Sequence, residues 1–111
     1  MIQANERTTA CLSLVDSGAD HCIFPLESAL ELGFEPVGKP RTSFRGLTGS
    51  PADLYFWEVT LRFDFGSFRV TAGFSESLDG QERGYLGQKG FFDQARVAFD
   101  RRANRFTVEP Y

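Results

Sequence analysis

The stretch LVDSGAD, from Leu14 to Asp20, runs an apolar segment directly into Asp16, Ser17 and Gly18. A carboxylate held at the floor of a cleft is available for acid–base chemistry, and the hydroxyl and the glycine would then shape the loop around it. Asp-Ser-Gly is also ordinary turn material at the end of a strand. The stretch therefore leaves two interpretations, a solvent-facing turn or an aspartate in a cleft, and the rest of the chain has to distinguish them.

The cysteines and the histidine, which could form disulfides or bind metal, give weaker patterns. Cys11 and Cys22 fit neither a disulfide framework nor a metal-binding spacing. His21 is the single histidine and is adjacent to Cys22, so a zinc site lacks ligands. We therefore expect no metal and no cofactor, two buried free thiols in a reducing cytoplasm, and a packing role for His21 and Cys22.

Length and composition narrow the class of protein. At 111 residues, with 41% hydrophobic and 24% charged residues, the chain is predicted to form one globular domain over residues 1–111. The net charge of −3 gives no support for a nucleic-acid partner. No apolar run is long enough for a membrane span, and no signal peptide is visible. These features predict a cytoplasmic protein that binds neither nucleic acid nor membrane.

Hydrophobic patterning predicts mostly short strands. In residues 53–64 alternate positions are apolar, and twelve phenylalanines favour an aromatic β-rich core. Strands are predicted over 10–15, 23–24, 41–45, 53–64, 68–74, 85–87, 95–100 and 105–110, and short helices over 26–33 and 87–94. The first ten residues are polar enough to be partly loose. The prediction is an all-β domain, a small closed barrel with one or two short helices.

Three elements in a fixed order resemble the retropepsin-like aspartic proteases, in particular their small bacterial members. Leu14 to Asp20 matches the family motif of two apolar residues followed by Asp-Thr/Ser-Gly-Ala-Asp. The segment FRGLTG, residues 44–49, falls where the family carries its flap. Tyr85, Leu86 and Gly87 take the place of the Ile-Leu-Gly element that packs against the catalytic loop. The resemblance covers almost the whole chain, and it implies a retropepsin-type barrel with aspartic endopeptidase activity.

The resemblance implies a specific mechanism. In this family two carboxylates act on one water: one accepts the water's proton, and the other, protonated, hydrogen-bonds the carbonyl oxygen. Sharing one proton between two close carboxyls is characteristic of aspartic proteases. The chain contains only one Asp-Ser/Thr-Gly, so the resemblance implies a homodimer in which Asp16 faces its symmetry mate. The last strand, residues 105–110, and the active-site loops would hold this dimer together.

The resemblance also assigns roles around Asp16. Ser17 would brace the two loops across the dimer, with a hydroxyl that closes a local turn as the alternative. Gly18 would let the substrate backbone approach and supply a permissive φ, while Ala19 and Asp20 would line the cleft near the peptide. The flap would contact substrate through Gly46, Leu47, Thr48 and Gly49, although a plain hairpin turn would have the same composition.

The sequence departs from the family pattern at Gln88, where the family often carries an arginine that pairs with the aspartate matched by Asp20. Arg83 or Lys89 would then be the partner, or Asp20 would be hydrated. Only 15 residues precede Asp16, fewer than the family usually has. Two alternatives therefore stay open: a non-catalytic module that binds an extended peptide by strand addition, and a structural relic that does neither.

Overall fold

The computed structural model describes residues 1–38, 42–45 and 51–111. The strands are β1 (Ile2–Ala4), β2 (Arg7–Thr9), β3 (Leu12–Val15), β4 (Ile23–Pro25), β5 (Thr42–Arg45), β6 (Pro51–Phe63), β7 (Gly66–Ser75), β8 (Arg83–Leu86), β9 (Ala95–Asp100) and β10 (Arg105–Pro110). Within these residues the helical elements are α1 (Leu26–Glu31) and a 3-10 turn over Glu76–Leu78. The prediction of an all-β fold is confirmed. No helix in the described ranges is long and apolar enough to cross a membrane.

Eight of these strands form one curled sheet, a half-barrel with the strand order β2-β1-β6-β7-β4-β8-β3, in which β5 also pairs with β6. The ends of this path are β2 and β3, so the described strands do not form the closed barrel that we expected. The last two strands, β9 and β10, pair with each other as a separate two-stranded sheet.

The centre of the sheet is the long hairpin of β6 and β7, and its alternation is the strongest signal in the sequence. Val59 lies opposite Val70 and Leu61 opposite Phe68, and all four are buried. Successive side chains of a strand point to opposite faces, so the apolar positions form one inner face. The predicted inner face of β6 is confirmed by this burial.

The first ten residues are ordered, contrary to the expectation that they are partly loose. Ile2–Ala4 and Arg7–Thr9 form an antiparallel hairpin whose two turn residues, Asn5 and Glu6, have φ values of 52° and 61°. Such left-handed pairs are the turn that fits strand twist in two-residue hairpins. The buried Ile2 lies opposite Leu61 of β6, which attaches the hairpin to the main sheet.

The segment 87–94, expected to be helical, forms turns instead. The N–H of Phe92 donates to the carbonyl of Gly87, and the N–H of Asp93 donates to that of Gln88, so these bonds span five residues rather than four. Gly90 has a φ of +107°, which no helix accommodates. The buried Phe91 fixes the turns onto the core.

Candidate active site at the Asp16 loop

The position of Asp16 is set by three strands. β8 lies between β3 and β4: Val15 of β3 pairs in parallel with Leu86, and Ile23 of β4 pairs antiparallel with Tyr85. The loop over residues 16–22, which joins β3 to β4, therefore passes over the end of β8. The elements that the sequence marked separately, Asp-Ser-Gly and Tyr-Leu-Gly, are in contact here.

Backbone hydrogen bonds attach both halves of this loop to the end of β8. The N–H of Asp16 donates to the carbonyl of Leu86 at 2.9 Å, and the N–H of Gln88 donates to the carbonyl of Ala19 at 2.8 Å. Leu86 is itself buried in the core cluster. The core of the protein thus positions the loop through main-chain groups rather than through the loop's side chains.

The carboxylate of Asp16 is half-buried and closes its own turn. Oδ1 accepts the N–H of Gly18 at 2.9 Å, and the main-chain carbonyl accepts the N–H of Ala19 at 3.1 Å. Among the described residues Oδ2 makes no hydrogen bond, so Oδ1 alone is used in the turn. Asp16, rather than Ser17, therefore provides the local turn closure that was considered for the hydroxyl.

Ser17 and Gln88 form the third attachment of the loop. Ser17 is exposed, and its hydroxyl has no partner in the part of the chain that the structure describes. Its carbonyl accepts Nε2 of Gln88 at 2.7 Å. Sequence reasoning treated Gln88 only as a missing arginine; its place directly after Leu86-Gly87 was the available signal for a loop-bracing residue.

The two glycines of the site are needed for space. A Cβ on Gly87 would lie 2.3 Å from the carbonyl oxygen of His21 and 2.6 Å from that of Ala19, closer than any carbon can approach. A Cβ on Gly18 would lie 3.2 Å from Asp16 Oδ1. Gly18 does not have a left-handed φ, so the expectation of a permissive φ there was wrong, and its close approach to the carboxylate is the relevant property.

Asp20 is exposed and forms no ion pair with Arg83 or Lys89, both of which the structure describes. Its main-chain carbonyl accepts the N–H of Lys89 at 2.9 Å. Neither of the two expected replacement partners therefore pairs with Asp20, whose side chain is exposed. Among residues 1–38, 42–45 and 51–111, no group of three or more His, Cys, Asp or Glu side chains could hold a metal ion.

The predicted flap residues, Gly46, Leu47, Thr48 and Gly49, lie outside the described residues. The strands on either side of them are described: β5 and β6 are antiparallel, and Arg45 lies opposite Pro51. Pro51 is the first residue of β6, a position where the missing N–H of proline is tolerated. The flap assignment stays a prediction.

Cys22 is the last residue of the loop and is fully buried, whereas Cys11 is half-buried, so only one of the two predicted buried thiols is confirmed. Desolvation raises the pKa of Cys22 from 9.0 to about 11, and a hydrogen bond from the backbone of Gly87 offsets part of this shift. Burial also raises the pKa of Cys11. A thiol so deeply buried is not available as a nucleophile at neutral pH.

The raised pKa of Cys22 predicts a loss of stability at alkaline pH. The native state keeps the proton up to about pH 11, while an unfolded thiol loses it near 9.0. The stabilisation from the protonated, buried thiol is therefore complete below pH 9. It is lost as pH rises to about 11, which lowers the free energy of unfolding by roughly 3 kcal/mol. The free energy of unfolding, measured by urea denaturation between pH 9 and 11, should fall more steeply with pH for wild type than for Cys22→Ala. Equal slopes in the two proteins would contradict the assignment.

A scan against models of protein families finds no matching family, and searches of curated proteins and of solved structures find no similar protein. The function of the Asp16 loop is therefore inferred from its own residues and geometry.

Proposed function

We propose that this protein is an aspartic endopeptidase that hydrolyses extended peptide segments as a homodimer, with Asp16 of each protomer acting on one water. The observation that carries the proposal is the Asp16 loop itself. An Asp-Ser-Gly turn sits over the end of β8, where the buried Leu86 lies, and backbone hydrogen bonds to Leu86 and Gln88 hold it there. Rigid positioning of an acid–base group is what such catalysis requires.

The chemistry needs both protomers. One Asp16 carboxylate takes a proton from water while the water oxygen bonds to the peptide carbonyl carbon. The other Asp16, protonated, donates a hydrogen bond to the carbonyl oxygen as it gains negative charge. The C–N bond then breaks as a proton passes to the leaving nitrogen. A single chain supplies half of this arrangement, so dimerisation is a condition of activity.

Exposed apolar surface on the last hairpin supports a second copy as the partner. One face of β9 and β10 carries only apolar residues, in the opposed pairs Ala95–Pro110, Val97–Val108 and Phe99–Phe106. At its outer end Phe99 is 59% exposed and Phe106 is 47% exposed, and their rings are 6.0 Å apart. An amphipathic hairpin with uncovered aromatic rings is typical of an interaction surface. We propose that it forms the dimer interface, together with the Asp16 loops.

Sedimentation across protein concentration, run beside a peptide-library cleavage assay, tests the proposal. We expect a dimer, and a specific activity per protomer that rises with concentration to a plateau. Phe106→Lys should shift the protein to monomer and abolish cleavage, while Thr107→Lys, on the polar face of the same strand, should behave as wild type. A strict monomer at high concentration would eliminate the enzyme.

A non-catalytic peptide-binding module is the second candidate, favoured by the edge of the sheet. β3 ends the strand path, and its Leu12 and Leu14 are 77% and 47% exposed. An edge strand with apolar side chains can accept an extended peptide by strand addition. The library assay separates the candidates, because peptide binding without any cleavage would support the module and contradict the protease.

A further inference from the structure

A cavity of about 330 Å³ lies at the far end of the loop from Asp16. Its walls come from three parts of the chain: the end of the loop, the outer face of the β6–β7 hairpin, and the turns over residues 88–94. The lining includes the polar, charged and aromatic side chains of His21, Phe56, Arg69, Thr71, Lys89 and Asp93. None of them has a role in the proposed reaction.

The cavity exists because the sheet splits at this point. β4 pairs with β7 from Ile23, opposite Gly73, onward. Two residues earlier, His21 pairs with Lys89 instead. The edge of β7 before Gly73 is therefore not covered by β4, and the gap between them is the cavity.

Backbone groups of β7 face this gap. The N–H of Gly73 donates to the carbonyl of Cys22 at 2.8 Å, toward β4. Since amide directions alternate along a strand, the N–H and C=O of Thr71 and Arg69 face the same side. Nε2 of Gln94 already donates to the carbonyl of Arg69 at 3.0 Å. The N–H of Thr71 is thus presented to the cavity as a donor.

The cavity contains a positive side chain, Lys89, without an ionic partner among the described residues. Among the lining residues Arg69 and Lys89 are positive and Asp93 is negative, and the guanidinium of Arg69 is paired with Glu58. Asp93 Oδ1 accepts the N–H of Gly90 at 3.0 Å, and Arg69 Nε donates to Glu58 at 2.6 Å. Lys89 has no ion pair in the described part of the chain, so its ammonium is the group left to attract an anion.

The shape and position of the cavity indicate the kind of anion. The ring of Phe56, edge-on to His21 at 5.1 Å, gives an apolar wall that suits methylene groups beside a carboxylate. Asp16 and His21 are five residues apart, so their Cα atoms are separated by at most about 18 Å. An extended peptide covers that distance in about five residues.

We propose that this cavity receives an acidic side chain of the peptide bound at Asp16, so that substrates carry Glu or Asp within about five residues of the scissile bond. Lys89 pairs with the carboxylate, and the N–H of Thr71 donates to it. This inference rests on the proposed function, because it assigns the cavity as a specificity site of the same cleft.

A direct binding test does not require hydrolysis. The probes are N-acetyl-glutamate amide and N-acetyl-glutamine amide, titrated into the full chain while backbone amide signals of His21, Thr71 and Lys89 are followed by NMR. We expect these signals to shift, with a preference of about fivefold for the glutamate probe, as for an exposed ion pair. Lys89→Gln should remove the preference, and Arg102→Gln, in the distant β9–β10 turn, should keep it. No shift with glutamate, or a preference that survives Lys89→Gln, would overturn the inference.

The second arm is a cleavage profile on peptide libraries with wild type and Lys89→Glu. Wild type should favour acidic residues within five positions of the cut, and Lys89→Glu should favour basic residues there. Cleavage without an acidic preference would overturn the specificity site and leave the protease intact. Absence of all cleavage would overturn the protease and, with it, the role of the cavity in a substrate cleft.

Discussion

Replacing Asp16 with asparagine is expected to lower kcat for peptide cleavage by roughly 10³-fold or more, because the amide can neither accept a proton from water nor hold the shared proton. The fold should be unchanged. The oxygen of an asparagine side chain can still accept the N–H of Gly18, the hydrogen bond that Asp16 Oδ1 makes at 2.9 Å. Initial rates, circular dichroism and sedimentation on the same preparation measure activity, fold and dimer separately.

Asp64→Asn is the matched control for this variant. Asp64 is exposed near the β6–β7 turn and is followed by Phe65 rather than by a hydroxyl residue. The same chemical change there should leave kcat and stability at wild-type values. If Asp16→Asn cleaved peptides as fast as Asp64→Asn, Asp16 would not be the acid–base group and the mechanism would be refuted.

Gly87→Ala is expected to destabilise the protein by roughly 2–4 kcal/mol and to abolish activity. The new methyl group would meet the carbonyl oxygens of His21 and Ala19 at 2.3 Å and 2.6 Å. These are backbone atoms of the Asp16 loop, and the carbonyl of Ala19 is already held by the N–H of Gln88. The loop must therefore move away from β8. Urea denaturation gives the free energy of unfolding.

Gly18→Ala makes the same chemical change with a different expected outcome. Among the described residues its Cβ would meet only Asp16 Oδ1, at 3.2 Å. The Asp16 side chain can rotate away from this contact, whereas the backbone carbonyls next to Gly87 cannot. Stability should stay within about 0.5 kcal/mol of wild type, while activity falls because the carboxylate is displaced. Equal stability of Gly87→Ala and wild type would show that the loop does not depend on its contact with β8.

The parts of the fold that could be predicted are those with a long local pattern. The alternation from Tyr55 to Phe63 extends over several residues and correctly identified β6 and its inner face. The β1–β2 hairpin has no such pattern. Its strands are three residues each, and they are held by pairing with Leu61 of β6, which is distant in the chain. A single-sequence pattern carries no information about that partner.

The sequence predicted which residues form the candidate site at Asp16, but it did not predict the contacts that hold them in place. Asp-Ser-Gly at the end of an apolar run correctly marked a loop after a strand. The place of Gln88 after Leu86-Gly87 indicated a residue near the loop, but the sequence did not indicate its partner, the carbonyl of Ser17, a backbone group 71 residues away. The prediction of a helix over 87–94 was wrong for a related reason. Packing against the surrounding core, rather than local helix propensity, determines the backbone at Gly90 and the burial of Phe91.

The insertion of β8 between β3 and β4 determines when the Asp16 loop becomes ordered during synthesis. β3, which leads into Asp16, and β4, which follows the loop, leave the ribosome before β8. The strand β8, which lies between them in the sheet, emerges about 70 residues after Asp16. Contacts so distant in sequence form late in folding. A nascent chain therefore carries Asp16 without the support that orients it, and the Asp16 loop is positioned only after β8 has been synthesised.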